Sequence, residues 1–380
     1  MAVSGLLGLR LERRANASRA MLLVTPPLAV LLTVLSGAVL FAALGFDPVK
    51  ALMSYFVAPI STRYGIGELA VKATPLAMIG IGLALGFRGN VWNIGAEGQL
   101  TLGAICAGGL ALAFHGQEGP WLLPLMMLAG AAGGLAYGAI PAWLRTRFNA
   151  NEILTSLMLT YVGTLLLSYL VTGPWKDPDG FNFPESRLFN DAALLPIILD
   201  GTRMHLGAPL ALLAVVVGWV IVARTLIGFQ IKVVGLTPIA AGYAGFSQAR
   251  TIWFTLLLSG GLAGLAGAIE VAGPIGQLQP SISPGYGFTA IIVAFLGRLH
   301  PVGVLLAALL MALSYLGGEH AQIELGLPLA LTGVFQGMLL FFLLASDFLV
   351  HYRLRRVAPP GVRAARGRVG EARRRWTSFP

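Results

Sequence analysis

Ten runs of apolar residues dominate this 380-residue chain, at 20–44, 66–87, 91–114, 121–144, 153–171, 206–223, 252–271, 288–299, 302–316 and 327–349. A helix that crosses a bilayer needs about 20 mostly apolar residues, and most of these runs reach that length. The expected fold is therefore all-α, a polytopic integral membrane protein of about ten transmembrane helices. The runs at 288–299 and 302–316 are short, and fit either two spans or a re-entrant pair. Composition agrees: 11% of the residues are charged, where a soluble domain carries roughly 25%.

The first apolar stretch, 20–46, is 27 residues long, against about 7–15 for the core of a secretory signal. It reads as an uncleaved first span. One cysteine, Cys106, leaves no disulfide or cysteine metal site within the chain. The net charge of +10 sits in short loops and tails rather than as a stripe on a soluble domain, which excludes nucleic acid as a partner. With ten spans, 20 of the 26 basic residues fall on one side and 10 of the 16 acidic ones on the other. Basic loops mark the cytoplasm, so both termini are expected there. The domains follow: a basic cytoplasmic segment 1–19, a transmembrane domain 20–350, and a basic cytoplasmic tail 351–380 that positive-inside anchoring explains.

Glycines recur every fourth residue at Gly130, Gly134 and Gly138, at Gly82 and Gly86, and at Gly260 and Gly264. Such rows let membrane helices approach closely, although any single pair also fits the general glycine richness of membrane helices. A possible internal repeat pairs LALGFRGNVWNIG with IVAFLGRLHPVGV, each an apolar run, a turn with one arginine, and a second apolar run.

Between the spans 206–223 and 252–271 lies VVGLTPIAAGYAGFS, residues 233–247. Thr237 followed by Pro238 is a helix start, since a threonine oxygen caps free amides and proline suits the first turn. Gly245 ends the helix in a left-handed turn. The predicted helix, 238–244, is only about 10 Å long and needs something to pack against. Two fates fit it: lying on lipid, or inserting into a groove on a cytoplasmic protein.

This segment, 224–250, resembles the coupling region of permeases in the branched-chain amino acid, simple sugar and nucleoside group of ABC importers. NIGAEGQLTLGA (93–104), NANEILTSLML (149–159) and SGGLAGLAGAIEVAG (259–273) are similar as well, and the likeness covers about 53–349. NIGAEGQ looks most like the lipoprotein-dependent nucleoside branch. The resemblance implies a coupling helix to an ATPase over Gly235, Leu236, Thr237, Pro238, Ile239, Ala240, Ala241, Tyr243, Ala244 and Gly245. It also implies three partners: a cytoplasmic ABC ATPase that binds ATP and Mg, a second permease subunit in a heterodimer or a homodimer, and an extracytoplasmic substrate-binding lipoprotein. The implied location is the bacterial cytoplasmic (inner) membrane. Two positions depart from the pattern: Gly242 stands where relatives often have arginine, and Thr160 where they often have asparagine.

None of the four lysines follows a glycine, so no phosphate-cradling G-x-x-x-x-G-K-[ST] loop is present. LSGG at 258–261 lies inside a helix-length apolar run and reads as helix packing. The five histidines are scattered without metal spacing, and no G-x-S-x-G elbow occurs. The chain is expected to be a non-catalytic subunit with no cofactor or metal of its own. Acids within spans are few, namely Glu97, Glu270 and Asp347, and such residues default to functional candidates. Glu97, with Asn93 and Gln99, marks either a bent helix start beside a solute path or a carboxylate that ties down backbone amides. Asn151 and Glu152 fit a helix cap and its first turn as well as a gate. Glu270, near the outer end of its span, either lines the path or reaches water. An ion-driven carrier would need several ionisable residues at mid-depth, more than occur here. The long loop 173–205, with Trp175, Phe181 and Phe183, is the largest outer platform for the lipoprotein.

Overall fold

In the computed structural model the described residues are 9–13, 19–117, 119–328 and 330–356. Residues 357–380 of the basic tail, most of the segment 1–19, and the side chain of Asp347 lie outside the described ones. Internal contacts divide the chain into residues 1–36 with 338–380, and residues 37–337. In the smaller unit, strand β1 (Leu9–Arg13) pairs antiparallel with β2 (Tyr352–Arg356), Leu11 opposite Leu354. This ribbon is the departure from an otherwise helical chain. The unit also holds most of helix α1 (Arg19–Ala43) and the second half of α13 (Ala330–His351).

The larger unit is the helical body. Its helices are α2 (Pro48–Phe56), α3 (Arg63–Arg88), α4 (Ala96–Ala113), α5 (Leu122–Phe148), α6 (Glu152–Thr172), α7 (Gly207–Arg224), α8 (Leu226–Leu236), α9 (Pro238–Tyr243), α10 (Gln248–Glu270), α11 (Tyr286–Leu296) and α12 (Pro301–Leu325). Among the described residues, eight helices are long and apolar enough to cross a membrane: α1, α3 to α7, α10 with its extension, and α12. Each expected span falls on a helix. The run at 288–299 is α11, however, with eleven residues, about 16 Å long and half a bilayer. The run at 302–316 opens a 25-residue helix, α12, so the two are not a re-entrant pair. Helices α2 and α8 escape the hydropathy reading because they are short, and Lys50 and Lys232 interrupt them.

Helix α10 is the axis of the body, packed against α3, α4 and α5. A Cβ on Gly264 would lie 2.2 Å from the Gly130 carbonyl oxygen and 2.7 Å from the Gly134 Cα. On Gly103 it would meet Gly264 Cα at 2.3 Å, and on Gly267 the Leu100 carbonyl at 2.0 Å. Gly82 of α3 meets Ser259 Cα in the same way, at 2.7 Å. The rows of α5 and α10 thus face one another in contacts made backbone to backbone, close enough for dense van der Waals packing, while the row of α3 meets Ser259 and Val91 instead. After Glu270 the helix widens into a π-helical turn, Val271–Ile275, that Gly276 ends at φ +75°.

Gly264→Leu forces side-chain atoms into the α4 and α5 backbones, and overpacking of this kind costs about 3 kcal/mol or more. Loss of the monodisperse peak, or a sharply lower Tm in detergent, is the expected result. Gly333→Ala in α13, where a Cβ meets nothing within 4 Å, should leave the Tm unchanged or slightly higher.

Candidate translocation and coupling site

Helix α3 runs from Glu68 and Lys72 near one end of the body to Arg88 at the other. At the Arg88 end the chain does not pass directly into α4. Residues 89–95 are non-helical and largely buried, so each polar backbone group there needs a partner. Side chains supply them. Glu152 accepts from Trp92 N (3.3 Å), Ser156 Oγ from Ile94 N (3.2 Å), and Asn93 Oδ1 from Gly95 N (3.1 Å). Asn93 Nδ2 donates to Gln99 Oε1 at 2.7 Å and to Ser259 Oγ at 2.9 Å, tying the break to α4 and α10. Asn93, Gln99 and Glu152 therefore meet at one place, the broken crossover. Glu152 also forms an ion pair with Arg145. Asn151 caps α6, accepting from Ile153 N at 2.9 Å. Asn149 at φ 52° closes α5 and allows this sharp return.

Glu97 lies in the first turn of α4 and holds a different element. Its carboxylate accepts from Gly287 N at 2.6 Å, at the start of α11. Ser283 Oγ accepts from Gly285 N and Tyr286 N at the same terminus. A negative charge there satisfies free amides and complements the helix dipole. Farther along α11, Thr289 Oγ1 lies 2.7 Å from Tyr315 Oη and 3.3 Å from Gln336 Oε1. Thr160 donates to Ser156 O within α6, and Gly98 packs on its Cα.

The opposite end carries most of the ion pairs. Arg203 clasps Glu68 with two hydrogen bonds, one of 2.8 Å, which raises the guanidinium pKa further, against the effect of burial. Lys72 pairs with Glu319 at 2.8 Å. Glu270 is buried at the π-helical junction rather than reaching the surface. His205 Nδ1 accepts from Gly207 N at 3.1 Å, which puts its proton on Nε2, a buried atom with no partner among the described residues. Burial, aided by Arg203 and opposed by Glu68, lowers the His205 pKa to about 4. The loop 173–205 is laid over this end by main-chain bonds: Ser186 N to Leu278 O, Phe189 N to Gly276 O and Leu195 N to Ala272 O. Within it Phe181 is 94% exposed and Phe183 also projects, whereas Trp175 packs on Gly109 of α4.

At the Arg88 end, α7 turns into α8 through Thr225, which caps it by accepting from Gly228 N. Helix α9 follows, standing out from the body. Ile239 is 80% and Tyr243 92% exposed, while Ala241 is 1% exposed. Ala241 thus faces the body and is not part of the outward surface. Thr237 does not cap α9 either. At φ −147° and ψ 80° its hydroxyl turns back to Val233 O, and only its carbonyl serves the new helix, accepting from Ala241 N. The helix ends at Tyr243, with Ala244 as its cap and Gly245 at φ +80°. Behind it, a cavity of about 210 Å³ is lined by Ile231, Phe246, Arg250 and Phe254, among others.

Residues 65–344 match the model of the family described as branched-chain amino acid transport system / permease component. The chain belongs to this family. It is similar to a glucose ABC transporter permease protein of Haloferax volcanii, 39% identical over 91% of this chain and 93% of the relative. A guanosine ABC transporter permease protein of Bacillus subtilis is 31% identical, over 89% and 97%. A nucleoside ABC transporter permease protein of Lactococcus lactis is 28% identical, over 87% and 93%. No solved structure matches. This permease is thus a multi-pass helical membrane protein, as its motifs suggested. Its site contains residues that the sequence reading passed over: Ser156, Ser259, Arg145, Arg203 and His205. Ser156 lay within a quoted motif, one turn beyond Asn151, and that position was the available signal.

The His205 ring gives this permease a pH-dependent stability. The unfolded ring takes up its proton near pH 6.5 and the folded one only near 4, so the stability is whole above pH 6.5. It is lost as pH falls toward 4, by up to roughly 3 kcal/mol. Thermal melts in detergent between pH 7 and pH 5 should show a steeper fall in Tm for the wild type than for His205→Asn, whose amide oxygen keeps the bond from Gly207 N.

Proposed function

We propose that this permease is the membrane subunit of an ATP-driven ABC importer that moves nucleosides or related small solutes into the cytoplasm. The observation that carries the reading is α9: a six-residue helix that rests on the body through Ala241 and leaves Ile239 and Tyr243 bare on its outer face, on a chain with no phosphate loop of its own. A bare apolar knob at the basic end suits insertion into a groove. The partner there is a cytoplasmic ATPase that binds ATP and Mg and moves Gly235 to Gly245 as it closes, which leaves this chain non-catalytic. With α9 cytoplasmic, the Arg88 end faces inward in the cytoplasmic membrane of a bacterium, and basic residues lie on the side expected of them. The strapped loop 173–205 then faces outward and receives a substrate-binding lipoprotein. A second permease subunit, most simply a different chain, completes the pore. Support for two chains comes from Lactococcus lactis, where two nucleoside ABC transporter permease proteins are both similar to this one.

Among the path candidates, Asn93, Gln99 and Glu152 hold the broken crossover, Asn151 caps α6, and Glu97 holds α11. Their proposed role is to shape the wall of the path. Glu270 lies at its outer end. The second reading of the cargo is a simple sugar, which the 39% identity to a glucose permease favours. Both cargoes are polyols or carry one.

Uptake of radiolabelled guanosine, adenosine and glucose should be measured in cells expressing this chain with its ATPase, second permease and lipoprotein. Nucleoside uptake is expected, and Tyr243→Arg or Ile239→Asp should reduce it at least tenfold, about 1.4 kcal/mol of coupling, with normal amounts of protein in the membrane. Glucose uptake alone would assign the sugar reading. Uptake indifferent to both substitutions would remove α9 from the coupling role.

A further inference from the structure

The two turns paired by the sequence repeat lie against each other in the fold. Arg88, last residue of α3, is partly buried and donates from Nε to Leu299 O, 2.7 Å away and 211 residues on. A cation that only marked the membrane surface would turn to water or to the carbonyls of its own helix. Around this bond Phe87 stacks on Phe295, with ring centres 5.2 Å apart, and Trp92 lies within 5.9 Å of Phe295. The turn it holds is strained. Arg298 and Leu299 are successive non-glycine residues at φ +55° and +54°, a conformation that persists only where surroundings enforce it. Gly297 and Gly303 close the turn, backbone on backbone.

The same arginine touches the coupling segment. Gly235, two residues before Thr237, sits on the Arg88 carbonyl so closely that a Cβ there would lie 2.0 Å from the oxygen. Beyond the strained turn is α11, a rod of eleven residues whose far end is gripped by Glu97 and Ser283. From there a non-helical stretch leads back to Gly276 and Leu278, which the outer strap holds.

Resting on the reading of α9 as the ATPase contact, we propose that Arg88 is a positioning residue that joins the coupling segment to α11, so that movement of α8 and α9 is passed along α11 to mid-bundle. The joint has Gly235 on one side and the Leu299 carbonyl on the other.

The test uses the complete assembly in proteoliposomes with guanosine and glucose as probes, and reads solute moved per ATP hydrolysed, a ratio indifferent to the amount of protein assembled. Arg88→Met should keep ATP hydrolysis near the wild-type rate while the ratio falls about tenfold, at the upper part of the range for coupling residues. Arg88→Lys, whose ammonium reaches the same carbonyl, should restore most of it. Gly235→Ala pushes on the joint from the other side and should lower the ratio too, which keeps the test decisive if Arg88→Met does not assemble. An unchanged ratio in the variants overturns the proposal. So does a parallel loss of hydrolysis and transport, which would mean a merely structural arginine. A wild-type assembly that moves neither probe overturns the permease reading, and this proposal with it.

Discussion

Everything in the body hangs on the backbone contact of α10 with α4 and α5. In lipid, apolar side chains gain nothing by leaving one hydrocarbon for another, so helices associate through close packing and shared hydrogen bonds. Gly264, Gly134 and Gly103 let three helices meet at main-chain distance. That closeness brings Ser259 of α10 within reach of Asn93, and Asn93 within reach of Gln99. A polar crossover inside an apolar protein is thereby satisfied group by group rather than left to water. The site is a consequence of the packing.

The second constraint is that short elements in this fold are held by carboxylates and carbonyls from distant parts of the chain. Glu97 grips α11, Glu152 grips the crossover, and the Leu299 carbonyl receives Arg88. Glu97, Glu152 and Arg88 are each engaged with backbone, which holds these charged groups within an otherwise apolar body. At the opposite end from Arg88 the pairing is side chain to side chain, Glu68 with Arg203 and Lys72 with Glu319. The crossover at the Arg88 end is held by side chains on main chain, and the other end by ion pairs together with the main-chain bonds of the loop 173–205.

Much of this was legible in the sequence. The apolar runs located every long helix, the Asn151 cap and the Gly245 stop follow from local chemistry, and two of the three glycine rows, those of α5 and α10, do face one another. Local rules failed where tertiary contacts overruled them. Thr237 looks like a cap, but its backbone is committed to leaving α8, so its hydroxyl turns back to Val233. Ala241 looks like part of an outward surface, but one face of so short a helix must rest on the body. The partners of Glu68, Arg88 and Glu97 lie 135 to 211 residues away, and no spacing along the chain encodes such a meeting. The half-length of α11 was legible in the short run 288–299, whereas the full length of α12 was not, because Glu319, His320 and Glu324 interrupt the apolar pattern of its second half.

That half-length bears on the energy of moving a polar molecule. A solute crossing a bilayer meets about 30 Å of hydrocarbon, and the cost lies in being surrounded by it. Helix α11 covers about 16 Å, and the chain before it, with Ser281 and Pro284 exposed, is open backbone. Bare peptide groups do not face lipid. Wherever the exposed part of this stretch lies at membrane depth, it must therefore be covered by water or by another protein.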